Sequence, residues 1–405
     1  MKKSLSMFIS FMLLIVLTAC GGGTATSTKA PDATSNSGSS TPAPAAVGTE
    51  TIKIGGVFSA SGGSSTLGKP QMDTLKMLVE EANAAGGISG KKIELYTYDD
   101  KSDQNEAVLN MKKLLEQDKV SVVVGGTISG NALAIIPLAE KAKVPLIAVA
   151  ASKNINIPTK QFVFKTAQGD DLVVPRAIEY LKANNLTNIA WLNVDNSFGS
   201  SALAEFKKLA PVAGIKAVIE DVFDPTVNDA KPMLTRVKNA NPQAIIIWGT
   251  TQESAVVTKN VREVGIKLPI IESHGIANSQ FIDLTGEASE GVVFPAGNLL
   301  VSDQLGADNA QKKVLEQYKK QFEDKYGYAA STFGGHVWDA FEIIKKAVET
   351  AGTDPVKLRD AMENGTKDFV GVSGIFTMSA DNHNGLKTDA LAIIEIKAKK
   401  WTLKK

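Results

Sequence analysis

The sequence predicts an α/β protein built on two doubly wound parallel sheets. From residue 51 onward, short apolar runs alternate with helical stretches, and most of these runs lack polar alternation. Strands that are apolar on both sides are covered by helices on both faces, as in a parallel sheet. The 405 residues exceed what one hydrophobic core serves. We therefore expect two sheets of about four to six strands each.

The first predicted sheet precedes residue 170. Its strands are IKIGGVF (52–58), IELYTYD (93–99), VSVVVGG (120–126) and PLIAVA (145–150). A helical stripe begins near Pro70 and ends at Gly86, and Val108, Met111 and Leu114 repeat the helical spacing. Proline is typical of a first helical turn and glycine of the residue after a helix, so this series reads as βαβ units.

The second predicted sheet follows residue 170. Its strands are NIAWLNV (188–194), IKAVIEDVF (215–223), QAIIIWG (243–249), LPIIES (268–273), GVVFPA (291–296) and ALAIIEIKA (390–398). Three helical stretches are predicted after residue 297. One of them carries Val314, Tyr318, Phe322 and Tyr326 at intervals of four. Trp191 and Trp248 fall inside strands, which favours a place in the core.

The N-terminal residues have the features of an export signal. Lys2 and Lys3 precede an apolar run to Leu17 that is too short to span a bilayer. The run ends at Cys20, the only cysteine, which resembles the lipidation site of bacterial lipoproteins. We predict a signal peptide at 1–19, a lipidated cysteine and flexible tether at 20–50, and a membrane-anchored extracytoplasmic protein. An ordinary secretory cleavage beside an incidental cysteine is the alternative.

Several classes of function have no support in the sequence. Lys plus Arg number 44 and Asp plus Glu 43, so no basic footprint for nucleic acid is present. His274, His336 and His383 lie far apart in the chain, and no cysteine follows residue 20, so no metal or cofactor is predicted. Neither a phosphate-binding loop nor a nucleophile elbow occurs. We expect no enzyme.

One strand end has the properties of an anion site. Strand 120–126 runs into a helix near Gly130, and open α/β sheets bind ligands beyond the carboxyl ends of their strands. Ser129 is predicted as the N-cap, with the N–H groups of Gly130 and Asn131 facing the crevice. Ala150 and Ser152 follow the next strand, and together these groups suit a carboxylate. A helix cap without a ligand is the alternative.

Six segments in order carry a resemblance to a known family. They are IKIGGVFSASGG, EEANAAGGISGKKIELYTYDD (80–100), VVVGGTISG, FKTAQGDD (164–171), HGIANSQFIDLTG (274–286) and GGHVWDAFEIIKKAVE (334–349). The chain from 51 to 405 resembles type I periplasmic binding proteins of the leucine/isoleucine/valine-binding family, the receptors of ABC importers.

The resemblance implies the type I periplasmic binding protein fold, in which two lobes joined by three crossovers close on a ligand. One lobe would contain 51–169 with 299–389, and the other 170–298 with 390–405. It also implies a monomer that delivers its ligand to ABC permease subunits in the membrane. In that family a disulfide often lies near the cleft, where this chain has Ser102 and Ile128.

The resemblance also implies a set of ligand contacts. Ser129, Ala150 and Ser152 match the carboxylate cradle, Leu67 the cleft mouth, Phe198 and Thr251 two positions that often hold tyrosine, and Phe333 a wall residue. His274 stands where amino-acid-binding members have an acid that pairs with the ligand's ammonium. Burying an ammonium without its partner costs on the order of several kcal/mol unless another acid replaces it. Glu253, Glu272 and Asp195 are candidates for that replacement.

We therefore expect a carboxylate ligand without an α-amine, such as an aromatic acid contacting Phe198 and Phe333. A subgroup of the family with similar histidine-glycine segments is associated with aromatic and other organic acids. Branched-chain amino-acid binding, a sensor module for a signalling receptor, and a secreted hydrolase are the other hypotheses. His274 could instead bond only to backbone. His336 is expected in the hinge or core, and His383 in a solvent-exposed turn.

Overall fold

Two sheets organise the chain in the computed structural model, which describes residues 51–404. The predicted signal peptide, the lipidation site at Cys20 and the tether lie outside the described residues. Within the described part, every helix is too short or too polar to cross a bilayer.

The first sheet has five strands, in the spatial order β2-β1-β3-β4-β5. They are β1 (Ile52–Phe58), β2 (Ile93–Asp99), β3 (Val122–Gly125), β4 (Leu146–Ala148) and β5 (Val163–Lys165). All four neighbouring pairs are parallel, as predicted. The strand order reverses between β1 and β3, and such a switch point leaves a crevice at the carboxyl ends of the strands.

Three helices connect these strands: α1 (Ser65–Ala84), α2 (Gln104–Lys113) and α3 (Ser129–Ala142). The predicted start of α1 near Pro70 is wrong, because the helix begins at Ser65 and Pro70 lies inside it. The first turn of α1 contains Gly68, a residue with low helix propensity, so the sequence does not predict a helix there. A Cβ at this position would lie 2.1 Å from the carbonyl oxygen of Ser59, so glycine permits the close approach of α1 to the end of β1.

The second sheet has seven strands, in the order β14-β13-β10-β9-β8-β6-β7, and a separate hairpin is formed by β11 and β12. The remaining strands are β6 (Asn188–Val194), β7 (Lys216–Phe223), β8 (Ala244–Trp248), β9 (Ile270–Glu272), β10 (Val293–Gly297), β11 (Phe369–Val370), β12 (Ile375–Phe376), β13 (Leu391–Lys397) and β14 (Lys400–Leu403).

This second sheet is parallel from β7 through β10 but antiparallel at one edge. The turn between β13 and β14 contains only Ala398 and Lys399, both with positive φ. A two-residue connection of this kind joins antiparallel strands only. The sequence predicted four to six parallel strands for this sheet. The structure has seven strands, and β13 and β14 form an antiparallel hairpin at its edge.

Eight further α-helices in residues 51–404 cover the sheets. They are α4 (Asp170–Ala183), α5 (Ser197–Leu209), α6 (Lys231–Ala240), α7 (Thr251–Glu263), α8 (Ser279–Thr285), α9 (Lys312–Tyr326), α10 (Thr332–Ala351) and α11 (Pro355–Gly365). The last three confirm the helical stretches predicted after residue 297. Tyr318 and Phe322 of the predicted stripe are fully buried against the first sheet.

The core is divided between the two sheets. The rings of Trp191 and Trp248 stack with centroids 5.4 Å apart in the core of the second sheet, as their strand positions indicated. Residues of α9 and α10 pack on the first sheet, although they follow β10 of the second. The predicted lobe limits, 51–169 with 299–389 and 170–298 with 390–405, remain a proposal.

His383 is not in a solvent-exposed turn, and that expectation is wrong. Its ring is fully buried and stacks on Phe164, with centroids 4.3 Å apart. Nδ1 lies 2.9 Å from the carbonyl oxygen of Val163, and Nε2 lies 2.9 Å from Glu363 Oε2. The turn predicted from the polar residues around it does form, but it folds onto β5.

Candidate functional site

A cavity of about 600 Å³ lies where the carboxyl ends of both sheets meet. Its walls include residues that follow β3 and β4 of the first sheet and β6, β8 and β9 of the second. This is where parallel α/β sheets bind ligands, because loops and helix N-termini converge there. The side chains on α10 that face the same space are Phe333 and His336.

Six of the eight predicted contact residues line this cavity. They are Leu67, Ser129, Ala150, Phe198, His274 and Phe333. Ser152 and Thr251 are fully buried behind the wall, where their neighbours Ala151 and Thr250 line it. The hydroxyl of Thr251 accepts a hydrogen bond of 2.6 Å from Asn278 Nδ2. The two residues therefore support the wall rather than form its surface.

The start of α3 differs from the prediction by one residue. Ser129 is the first helical residue, and Ile128 occupies the N-cap position with extended backbone angles. Isoleucine has no side-chain acceptor, so the helix has no side-chain cap hydrogen bond. Gly130 and Asn131 of this first turn line the cavity. The N-terminus of α3 can therefore accept an anion in place of a cap.

The N-terminus of α5 approaches the same point from the second sheet but is already capped. Asn196 accepts hydrogen bonds from the N–H groups of Phe198 (2.9 Å) and Gly199 (3.2 Å). A Cβ on Gly130 would lie 3.9 Å from Ser197 Oγ, which shows how closely the two helix starts approach. Only the α3 terminus of this pair thus lacks a capping side chain.

The Ser129 hydroxyl is oriented by the loop after β4. Its Oγ accepts a hydrogen bond of 3.2 Å from the backbone N–H of Ser152. A hydroxyl carries one hydrogen and two lone pairs, so Ser129 can still donate its own hydrogen to a ligand. This donor stands beside the uncapped turn of α3.

His274 lies in an aromatic corner of the cavity. Its ring meets Phe198 edge-on at 5.7 Å and Trp248 at 6.3 Å between centroids. Burial lowers the pKa of His274 to about 4, assisted by the charge of Lys165 and opposed by a hydrogen bond to the backbone of Gln168. The ring is therefore neutral at pH 7 and cannot act as a cation. Its Nδ1 has no hydrogen-bond partner among residues 51–404.

The three candidate acids differ in their access to the cavity. Glu253 lines it, but its Oε1 accepts hydrogen bonds from the N–H (2.7 Å) and hydroxyl (2.9 Å) of Thr250. Glu272 is fully buried away from the lining and accepts a 2.6 Å bond from Thr258. Asp195 is exposed and does not line the cavity. Burial raises the pKa of Glu253, which disfavours its ionised form.

His336 was assigned to the hinge or core, yet it lines the cavity as well. It follows Phe333 by three residues on α10, and side chains with this spacing share one helix face. The spacing from a predicted wall residue was thus the signal that could have identified it. Its Nδ1 lies 2.8 Å from Ser373 Oγ.

The hydroxyl of Ser102 links two loops at the mouth of the cavity. Ser102 Oγ donates to the carbonyl oxygen of Ser61 (2.8 Å) and accepts from the N–H of Ser64 (3.0 Å). Ser102 and Ile128 both line the cavity. Two hydrogen bonds thus hold loop 61–64 against Ser102.

Two α/β sheets that share a cavity at their strand ends define a protein that encloses a small solute. A family model described as periplasmic binding protein matches residues 51–400. The chain therefore belongs to the periplasmic binding protein family, within its leucine/isoleucine/valine-binding type.

Individual relatives agree with this assignment. The chain is 25% identical to the leucine-, isoleucine-, valine-, threonine-, and alanine-binding protein of Pseudomonas aeruginosa, over 78% of this chain and 83% of that protein. An extracellular ligand-binding receptor from Rhodopseudomonas palustris HaA2 superposes with a TM-score of 0.83 at 27% identity, covering 88% of this chain and all of that one.

A branched-chain amino acid transporter substrate binding protein of Streptococcus pneumoniae, solved with isoleucine, superposes with a TM-score of 0.77 at 27% identity. The superposition covers 87% of this chain and 98% of the Streptococcus pneumoniae protein. These relatives are binding proteins by name, not enzymes. The chain is accordingly a solute-binding protein of this type.

Proposed function

We propose that this protein is the lipid-anchored, extracytoplasmic receptor of an ABC importer and binds a small carboxylate that lacks an α-amine. The observation that carries the ligand class is the neutral, buried ring of His274 at the cavity. An ammonium group placed against this ring would lack a counter-charge, and such a loss costs on the order of several kcal/mol.

The carboxylate end of the ligand is assigned to the start of α3. The N–H groups of its first turn have no side-chain cap, and the Ser129 hydroxyl retains a hydrogen to donate. A carboxylate accepting such bonds is further favoured by the helix dipole, by about 0.3–1 kcal/mol. Ala150 is assigned as a ligand contact because it lines the cavity together with Ser129.

The body of the ligand is assigned to the apolar walls. Leu67, Phe198 and Phe333 line the cavity and are each less than one-tenth exposed. Aromatic walls favour flat or branched apolar groups, which gain contact area at small entropic cost. An aromatic or branched organic acid fits this combination of an anion site and apolar surface.

Branched-chain amino-acid binding is the second candidate. The names of the relatives favour it. Glu253 favours it as well, because this carboxylate lines the cavity two residues after the predicted contact Thr251. Against it, one Glu253 oxygen already accepts two hydrogen bonds from Thr250, and burial raises the pKa of this acid. An ammonium ligand would have to ionise Glu253 and use its other oxygen.

Titration calorimetry with benzoate-like acids and with leucine tests the ligand class. We expect heats of binding from the acids, recovery of the acids unchanged, and little or no response to leucine. Tight leucine binding without any response to acids would contradict the proposal. The anchor is tested separately by metabolic labelling with palmitate, which we expect to label the wild type and not Cys20→Ala.

Delivery to a permease is the proposed outcome of binding. A ligand that binds the closed form more tightly shifts the equilibrium toward that form, and the membrane partner recognises it. A sensor role would use the same closure with a signalling receptor. Ligand uptake by cells that lack this protein distinguishes the two, since only a transport role predicts loss of uptake.

A further inference from the structure

Lys165 is a fully buried lysine next to the cavity wall. It is the last residue of β5, and its side chain has no exposed surface. Its Nζ donates hydrogen bonds to the carbonyl oxygens of Ala151 (3.4 Å) and Ser152 (3.5 Å). Ala151 lines the cavity, whereas Lys165 does not. The ammonium therefore lies against the backbone of the loop that follows β4.

A single peptide group connects this ammonium to Ser129. The carbonyl oxygen of Ala151 and the N–H of Ser152 belong to the same peptide group, which is trans. In a trans peptide the C=O and the N–H point in opposite directions. The carbonyl accepts from Lys165 at 3.4 Å, and the N–H donates to Ser129 Oγ at 3.2 Å. Lys165, the peptide group and Ser129 thus form a continuous chain of hydrogen bonds.

Every donor in this chain is directed toward the proposed carboxylate site. A lysine ammonium and a backbone N–H only donate, and a carbonyl oxygen only accepts. Ser129 Oγ therefore accepts from the peptide and keeps its own hydrogen for a ligand. Hydrogen bonds in a chain polarise one another, so a positive charge at the start strengthens the donor at the end. A ligand with a full negative charge gains most from such a donor.

Asp171 is the acid close to this ammonium. A Cβ on Gly169 would lie 2.6 Å from Lys165 Nζ and 2.1 Å from Asp171 Oδ1, so both groups lie beside the same point. Burial lowers the pKa of Lys165, and the charges of Asp171 and Asp170 oppose this change. The two acids therefore favour the charged form of Lys165. Of these three side chains, only Lys165 is hydrogen-bonded to the Ala151–Ser152 peptide.

We propose that Lys165 makes the cavity selective for a carboxylate over a neutral carboxamide, because its positive charge acts on Ser129 through the Ala151–Ser152 peptide. This inference rests on the proposed function, since it concerns the same carboxylate. Lys165 does not touch the ligand in this arrangement, and its role is that of a positioning residue.

Calorimetry with benzoate and benzamide tests the inference, because the two ligands are similar in shape and differ in charge. Lys165→Met removes the charge and keeps most of the side-chain length. We expect the affinity for benzoate to fall about tenfold and the affinity for benzamide, measured by displacement, to change little. Lys141→Met, at the exposed end of α3, is the matched control and should bind as the wild type does. Lys165→Gln, which retains a donor for the Ala151 carbonyl without the charge, replaces Lys165→Met if that variant does not fold.

The route through Ser129 is tested by combining the substitutions. With Ser129→Ala already in place, Lys165→Met should lower benzoate affinity by much less than tenfold, because the last donor of the chain is gone. A merely structural role of Lys165 would weaken both ligands alike. Equal losses for benzoate and benzamide, or an unchanged benzoate affinity in Lys165→Met, would overturn the inference and leave the proposed function standing. A wild-type protein that binds no benzoate-like acid would contradict the proposed function and this inference together.

Discussion

The backbone N–H of Ser152 donates a hydrogen bond to Ser129 Oγ across 3.2 Å, which joins the loop after β4 to the first residue of α3. Ser152 itself is fully buried, so its part in the site is to position Ser129. The hydroxyl hydrogen of Ser129 is thereby left for the ligand. This pair connects the architecture of the first sheet to the proposed carboxylate site.

Ser129→Ala removes the proposed donor to the carboxylate. Hydrogen bonds to charged groups contribute about 1.5–3 kcal/mol, so affinity should fall by roughly tenfold to a hundredfold. Calorimetry with the best-binding acid measures the change. Ser200→Ala, at an exposed position on α5, is the matched control and should bind as the wild type does. An unchanged affinity in Ser129→Ala would remove Ser129 from the site.

Ile128→Asp should stabilise the protein and weaken ligand binding at once. Aspartate at this N-cap position would accept from the first-turn N–H groups of α3, which stabilises a helix by about 0.5–2 kcal/mol. The same carboxylate would occupy and repel the ligand's anionic group. Denaturant unfolding and calorimetry check the two effects, with Ile128→Val as a control that cannot cap. Undiminished binding in Ile128→Asp would exclude the α3 terminus as the anion site.

His274→Glu should change the ligand preference of the cavity in favour of an amino acid. A matched pair of ligands is leucine and 4-methyl-2-oxopentanoate, which differ only in an amine or an oxo group beside the carboxylate. A carboxylate at position 274 supplies the counter-charge for an ammonium and repels an oxo group, so the affinity ratio should move toward leucine by about a hundredfold. His274→Gln, which is neutral, should leave leucine binding weak. An unaltered ratio in His274→Glu would show that position 274 does not face the α-substituent.

His336 should make the protein acid-sensitive. Its pKa is lowered from 6.5 to about 3, so its contribution to stability is complete above pH 6.5 and is lost as pH falls from 6.5 toward 3. Between pH 7 and pH 5 the loss is about 2 kcal/mol. Asp170 and Asp339 act oppositely, because burial raises the pKa of each to about 7 and stability rises as they are protonated.

The His336 effect is therefore measured as a difference between two proteins. The free energy of unfolding of the wild type minus that of His336→Asn should decrease by about 2 kcal/mol between pH 7 and pH 5. Ser373→Ala retains the ring and should follow the wild type. A difference that does not vary with pH would mean that His336 is not buried in its neutral form.

Strand pattern was the most informative property of the sequence. The predicted limits of β1, β2 and β6 coincide with the structure, because turn and loop residues bound each of these runs. The start of α1 was hidden by Ser65, Thr66 and Gly68, whose types favour loops although tertiary contacts hold them in a helix. Such contacts cannot be read from local propensity.

The predicted contact residues lie in the cavity lining or next to it in the chain, and their role as ligand contacts stays a prediction. Ser129 was placed at the N-cap instead of the first helical position, and Thr251 was predicted as a ligand contact although its neighbour Thr250 lines the cavity. Helix ends are uncertain by about one or two residues from sequence. The environment of His336 and His383 depends on segments far away in the chain, Ser373 and Val163, so their burial was not accessible from neighbouring residues.

The most direct test is the affinity of the wild-type protein for leucine and for 4-methyl-2-oxopentanoate, measured by titration calorimetry under the same conditions. Because the His274 ring is neutral and Glu253 Oε1 already accepts two hydrogen bonds from Thr250, we expect the oxo acid to bind and leucine to bind at least about tenfold more weakly. Leucine binding as tight as or tighter than the oxo acid would contradict the account, since it would require an acid in the cavity to pair with the ammonium.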